Sequence, residues 1–313
     1  MAVILDFVLV FLSVLMLWKG ADWLVDSAAE IAHTLKVSDL IIGLTVVAFG
    51  TSAPEFAVTI SAAVTKQTDI SIGNVIGSNI FNLGFILGGT AIIRPISTNK
   101  NMFNRDGLFL LIVTAMIFFL FFGFNGWTQD DNFTRLEGLF LFSTLIGYVA
   151  FLFIKKDPPE EISPNKATTI SYIFFFVGLA SIVLGGHLMV THASNIARFY
   201  GISDWVIAVT IVAAGTSAPE FATSIAAAIK GRHGIAIGNL IGSDLFNLLG
   251  VLGLAGIINP SIITEDIFDS VFILVLMVGL TLLLIRTKWR ISRGEGAVLV
   301  SINLIRWYFD FAN

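Results

Sequence analysis

The 313 residues contain no cysteine. Disulfides, thiolate nucleophiles and sulfur-ligated metals are thereby excluded, and the redox compartment cannot be read from the chain. Charge is scarce too. Asp, Glu, Lys and Arg make up 13% of the chain, about half of the roughly 25% usual in a soluble domain. The net charge of −4 supplies no basic surface for nucleic acid. Long polar stretches are also lacking, and the one of any length, Lys155 to Lys166, holds Pro158, Pro159 and Pro164.

What is present instead is apolar: 56% of the residues, with a mean hydropathy of +0.89. The few charges fall between long hydrophobic runs, the pattern of a polytopic helical membrane protein. Residues 3–18 run straight into an amphipathic stretch with no A-x-A-like cleavage site, so they read as a first span rather than a signal peptide. At about 20 apolar residues per span, ten spans are predicted, at about 3–32, 39–65, 70–93, 106–124 and 134–154, then 168–197, 204–229, 235–258, 267–286 and 294–311. The expected organisation is a first half at 1–154, a cytoplasmic linker at 155–167 and a second half at 168–313.

An internal repeat relates the halves. Gly50-Thr51-Ser52-Ala53-Pro54-Glu55-Phe56 recurs letter for letter as Gly215-Thr216-Ser217-Ala218-Pro219-Glu220-Phe221. The block Ile72 to Asn82 recurs as Ile237 to Asn247, and both repeats keep one offset of 165 residues, from Glu55 to Glu220 and from Asn82 to Asn247. With five spans per copy, the second must enter the membrane upside down. Charge agrees, because Lys and Arg accumulate on the cytoplasmic side. With both termini outside, Arg94, Lys100 and Arg105 lie inside, and the matching stretch of the second copy, Pro260 to Asp269, has no basic residue. The expected fold is an all-α membrane protein of ten transmembrane helices, two inverted five-helix repeats with helices 2, 3, 7 and 8 interrupted, in a prokaryotic plasma membrane.

The repeated motifs suit a hard cation. Inverted repeats with interrupted helices bind substrate near the bilayer midplane. Gly50 and Pro54 break a helix, and the carbonyls around Ala48 then join the Thr51 and Ser52 hydroxyls and the Glu55 carboxylate. Ala213, Thr216, Ser217 and Glu220 repeat the set. Ca2+ takes about 6–8 oxygen ligands, which such a group can supply. A mid-span glutamate costs roughly 2.5–3.5 kcal/mol to insert, so two at equivalent positions argue for function over packing. Asn82 and Asn247 read either as ligands or as helix–helix hydrogen bonds, the second being the more ordinary. Ser78 and Ser243 are equally open between ligand and packing hydroxyl. Asp244, whose counterpart is Asn79, is a possible additional ligand or a residue facing another helix. Asp22, Asp26 and Glu30 form an i, i+4, i+8 stripe matched by His187, Thr191 and Asn195, which favours local pairing or a wet vestibule over a symmetric ion site.

On both GTSAPE blocks and both GN-x-IGS-x-x-FN blocks, the chain resembles the calcium/cation antiporter superfamily, in its prokaryotic sodium/calcium exchanger branch, over essentially its whole length. That resemblance implies Ca2+ exchanged for about three Na+ by alternating access, with the first and sixth helices sliding across the core. It places ligands at Glu55, Glu220, Thr51, Thr216, Ser52, Ser217, Ser78, Ser243, Asn82 and Asn247 and at the carbonyls of Ala48 and Ala213. Two carboxylates balance one Ca2+ and three Na+ leave a surplus charge, so exchange would be electrogenic. The transported ions are the substrates, no cofactor is implied, and the partners are the lipid bilayer and those cations, with no obligate protein partner indicated. Some relatives carry aspartate at the position of Asn247, potassium-dependent exchangers and some archaeal sodium/calcium exchangers among them, so Asn247 argues weakly against potassium co-transport. Proton-coupled relatives have a different glutamate motif, so the GTSAPE blocks argue against that branch. A Ca2+/H+ antiporter and a K+-dependent exchanger are the alternatives on this scaffold. An intramembrane hydrolase using Ser52 or Ser217 lacks the nucleophile-elbow glycine, so no enzyme is expected.

Overall fold

Leucine, isoleucine, valine and phenylalanine runs leave backbone groups with no polar partner outside the chain, and helices satisfy them internally. The computed structural model is accordingly helical. It describes residues 2–122, 132–157, 166–202, 207, 211, 213–262 and 266–312. The helices are α1 (Ala2–Leu35), α2 (Asp39–Thr51), α3 (Ala53–Val64), α4 (Thr68–Ile93), α5 (Met102–Phe122), α6 (Arg135–Lys155), α7 (Thr169–Phe199), α8 (Ala213–Thr216), α9 (Ala218–Ile229), α10 (His233–Ile258), α11 (Asp266–Lys288) and α12 (Arg293–Ala312). The strands β1 (Ile96–Ser97), β2 (Asn132–Phe133), β3 (Ser261–Ile262) and β4 (Arg290–Ile291) have two residues each.

Among the described residues, seven helices are long and apolar enough to cross a bilayer: α1, α4, α5, α6, α7, α10 and α11. The consecutive pair α2–α3 makes an eighth when read as one broken span. Their outward faces carry large apolar side chains, among them Ile4 at 69% exposure, Phe176 at 65% and Leu283 at 69%. Apolar residues so exposed along whole helices are at home in lipid. The chain is an all-α, multi-span membrane protein. Of the two remaining expected spans, the one at about 204–229 falls partly outside the described residues, as does most of the 155–167 linker. The other, α12, is helical but carries Arg293, Glu295, Arg306 and Asp310 and is too charged to join the seven.

One expectation needs correcting. The second and seventh expected spans break, at Ser52 between α2 and α3 (φ −78°, ψ 8°) and at Ser217 between α8 and α9 (φ −88°, ψ 10°), but the third and eighth, α4 and α10, run unbroken. Instead they contain π-helical segments at Asn82–Leu87 and Phe246–Val251. Neither segment holds a proline, so nothing removes an amide proton, and the chain absorbs the distortion as a wider turn.

The residues group into two compact units, Met1–Pro54 with Asp157–Asn239, and Glu55–Lys156 with Leu240–Asn313. Each takes chain from both copies. In the first, α1 lies along α7 so closely that a Cβ on Gly178 would sit 2.8 Å from the Gly20 carbonyl. Asp22 and Asp26 of α1 pair with Lys230 at the end of α9 (3.1 and 2.8 Å), and Ser171 bonds Glu30. The acidic stripe is thus locally paired. In the second unit, α4 packs on α12 and α6 on α10. Backbones meet at two matched glycine pairs. A Cβ on Gly296 would lie 2.5 Å from the Gly88 carbonyl, and one on Gly138 2.5 Å from that of Gly253. The strands pair crosswise, β1 with β4 and β2 with β3, both antiparallel.

Candidate cation site

The segment Ser52-Ala53-Pro54-Glu55 reads as a capping box, a serine followed three residues later by glutamate. Its repeat Ser217-Ala218-Pro219-Glu220 reads the same way, and Ser217 does stand at the N-cap of α9, with Pro219 in the first turn where its missing N–H costs nothing. The box is nevertheless not closed at Ser217, which makes no side-chain cap bond. The Ser52 hydroxyl donates instead to Glu220 Oε1 at 3.0 Å. Both glutamates lie in the first turn of a half-helix, α3 and α9, where the positive end of the helix dipole favours a carboxylate.

In the first unit, Glu220 is fully buried with Thr51, Ser217 and Asn239, and Ser52 nearly so. Asn239 of α10 organises the group. Its Nδ2 donates to the Glu220 carbonyl (3.4 Å) and Ser224 Oγ (3.1 Å), and its Oδ1 accepts from Thr51 Oγ1 (3.0 Å). One amide so ties α2, α9 and α10 together. The Ala48 carbonyl accepts from Ser52 N (3.0 Å) and faces Thr51 Oγ1 at 3.2 Å. Pro54, with no N–H, cannot donate to the Gly50 carbonyl four residues back, and that carbonyl faces the Ser52 N–H. Thr216 is half-buried at the end of α8, which Ala213 begins.

In the second unit, Glu55 is buried. Asn74 of α4 donates to the Glu55 carbonyl (3.3 Å) and Thr59 Oγ1 (2.9 Å), the arrangement of Asn239 with Glu220 and Ser224 repeated. Ser78, Asn79, Asn82, Ser243, Asp244 and Asn247 are all buried. Asn82 Nδ2 donates to Asp244 Oδ1 and Asn247 Nδ2 to Asn79 Oδ1, each at 3.0 Å, while Asn79 Nδ2 reaches the Asp244 carbonyl at 3.1 Å. Asn82 and Asn247 therefore do make helix–helix hydrogen bonds, but only through nitrogen. Their Oδ1 atoms are buried and have no hydrogen-bond partner among the described residues.

Asn74 and Asn239 were given no role in the sequence reading although they stand inside the repeated blocks, and Asn79 entered it only as the counterpart of Asp244. The constant offset pairs Asn74 with Asn239 and was the available signal. Among the described residues no three His, Cys, Asp or Glu side chains gather as a metal cluster. The oxygens present are those of isolated carboxylates, amides, hydroxyls and carbonyls, a donor chemistry suited to Na+ and Ca2+.

Acids buried beside broken helices in a multi-span helical protein define a membrane transporter of cations. The chain belongs to the sodium/calcium exchanger protein family, whose model matches residues 5–154 and 170–310. It is 34% identical to the sodium/calcium exchanger MaX1 of Methanosarcina acetivorans, over 94% of this chain and 95% of that one. It is 37% identical to CaxA of Alkalimonas amylolytica, a protein named as an antiporter, over 98% of each. Among solved structures, the sodium-calcium exchanger NCX_Mj soaked with 10 mM Na+ and zero Ca2+ superposes with a TM-score of 0.85 at 32% identity, covering 97% of this chain and 98% of that one.

Proposed function

We propose that this protein is a secondary antiporter, not an enzyme, that exchanges Ca2+ for about three Na+ by alternating access in the cell membrane. The observation that carries the reading is the burial of Glu55 and Glu220 at equivalent positions after a helix break. An ion-free role leaves the insertion cost of roughly 2.5–3.5 kcal/mol per acid without return. A cation supplies it. Glu55 and Glu220 provide the charge, and Thr51, Ser52, Ser78 and Asn82 with Thr216, Ser217, Ser243 and Asn247 provide neutral oxygens. The carbonyls of Ala48 and Ala213 complete the set.

The scaffold for this exchange is two inverted five-helix repeats, residues 1–154 and 168–313, joined by a cytoplasmic linker at 155–167, with both termini outside. The crosswise strand pairing supports the inversion. β1 and β3 follow the third span of their copies, and β2 and β4 precede the fifth, so a two-fold exchange of copies maps β1–β4 onto β2–β3. The matched glycine pairs behave likewise.

The test is 45Ca2+ uptake into proteoliposomes under Na+, K+ and H+ gradients imposed singly. Uptake driven by internal Na+ is expected, with charge displacement. Flux indifferent to Na+ and driven by pH would return the scaffold to H+ coupling, and a requirement for K+ to the potassium-dependent branch.

A further inference from the structure

An asparagine amide has two ends of nearly equal size, and it serves as a cation ligand only when its oxygen faces the ion. Something must therefore choose the flip. At Asn82 the choice is made by Asp244, because a carboxylate oxygen accepts the NH2 end and repels the carbonyl end. At Asn247 the holder is Asn79 Oδ1, itself an amide free in principle to turn around. Asn79 is kept from turning because its own Nδ2 is committed to the Asp244 backbone carbonyl at 3.1 Å. Asp244 thus sets both amides, Asn82 through its side chain and Asn247 through its backbone and Asn79. The two amide oxygens left over are buried, a placement that costs about 1–3 kcal/mol each unless a ligand arrives.

We propose that Asp244 and Asn79 are positioning residues for cation recognition, holding Asn82 and Asn247 with their carbonyl oxygens presented as ligands, and that the Asp244 charge makes Asn82 the stronger of the two. The inference rests on the reading above that both asparagines bind the transported ion. Donation of an amide N–H to a carboxylate polarises the amide and adds negative charge at its oxygen, whereas donation to a second amide does so less. The substitution of Asn79 in one copy by Asp244 in the other is then a built-in asymmetry between matched ligands.

The experiment is equilibrium 45Ca2+ binding to the full chain in detergent, alongside the Ca2+ KM and kcat in Na+-loaded proteoliposomes. Removing a ligand-orienting partner costs about 10–100-fold in metal affinity. Asp244→Leu is expected to weaken Ca2+ binding within that range, with kcat at saturating Ca2+ changed by less than about three-fold, as an effect on ligand presentation requires. Asp244→Asn retains an oxygen for Asn82 and is expected to recover part of the loss. Wild-type binding by a monodisperse Asp244→Leu protein overturns the proposal. So does an Asp244→Asn protein as weak as Asp244→Leu, which marks Asp244 as a direct ligand. Should Asp244→Leu not fold, Asn79→Leu decides, since weaker binding through Asn247 supports the proposal and unchanged binding overturns it. Asn82→Leu and Asn247→Leu separate the two layers. If they bind Ca2+ normally, the ligand reading falls and takes the proposal with it. If they fail to bind while Asp244→Leu binds normally, the positioning role alone falls.

Discussion

Around Glu220, Asn239 is fully buried and joins the glutamate carbonyl, Ser224 and Thr51. Around Glu55, the equivalent Asn74 is only half-buried and makes the matching bonds to the glutamate carbonyl and Thr59. The shared device is an amide from the next helix that grips the backbone of the acid's own turn and a hydroxyl one turn further on. It fixes the half-helix through the glutamate's backbone carbonyl, without using the carboxylate. The niches differ in how deeply the amide is buried, so equal function is expected from the acids and unequal structural dependence on the amides.

The largest effect falls on the acids themselves. Glu55→Gln and Glu220→Gln are each expected to lower Na+-driven 45Ca2+ uptake by more than about 100-fold, beyond the loss for an orienting partner, while remaining monodisperse in detergent. A loss in one copy only would break the comparison. Next come the amides. Asn239→Leu is expected to cost about 2–3 kcal/mol of stability and Asn74→Leu about 1–2 kcal/mol, from the buried groups each leaves unmatched, measured by thermal unfolding in detergent. Ser52→Ala removes the donor to Glu220 Oε1 and is expected to raise the Ca2+ KM about ten-fold. The smallest effect belongs to Lys230→Met. Its pairs with Asp22 and Asp26 are partly exposed, so stability should shift by less than about 1 kcal/mol, and less still in high salt.

Much of this was legible in the chain. Glu55 and Glu220 stood out because an intramembrane acid is costly and a constant offset of 165 residues makes coincidence untenable. The breaks at Ser52 and Ser217 followed from Pro54 and Pro219. The π-helical segments of α4 and α10 did not, because hydropathy and small residues mark a span without reporting how its turns are wound. Nor did the exchange in which Asn82 meets Asp244 and Asn247 meets Asn79. Those four residues lie on two helices far apart in sequence, and only the relative rotation of the helices decides which end of each amide is occupied. Asp244 was read as either an additional carboxylate on the path or a residue facing another helix. Its Oδ1 accepts from Asn82, the contact on which the proposed holding role rests. Asn74 and Asn239 were passed over because an amide gripping a backbone carbonyl leaves no mark in composition or charge.

The proposed function has Glu55 and Glu220 serve one ion together. Equilibrium 45Ca2+ binding to wild type, to Glu55→Gln, to Glu220→Gln and to the double variant tests it, since groups acting as a unit are non-additive. Each single variant is expected to lose Ca2+ binding as completely as the double. Retention of half the bound Ca2+ by each single variant, with full loss only in the double, would mean that the two acids bind separately.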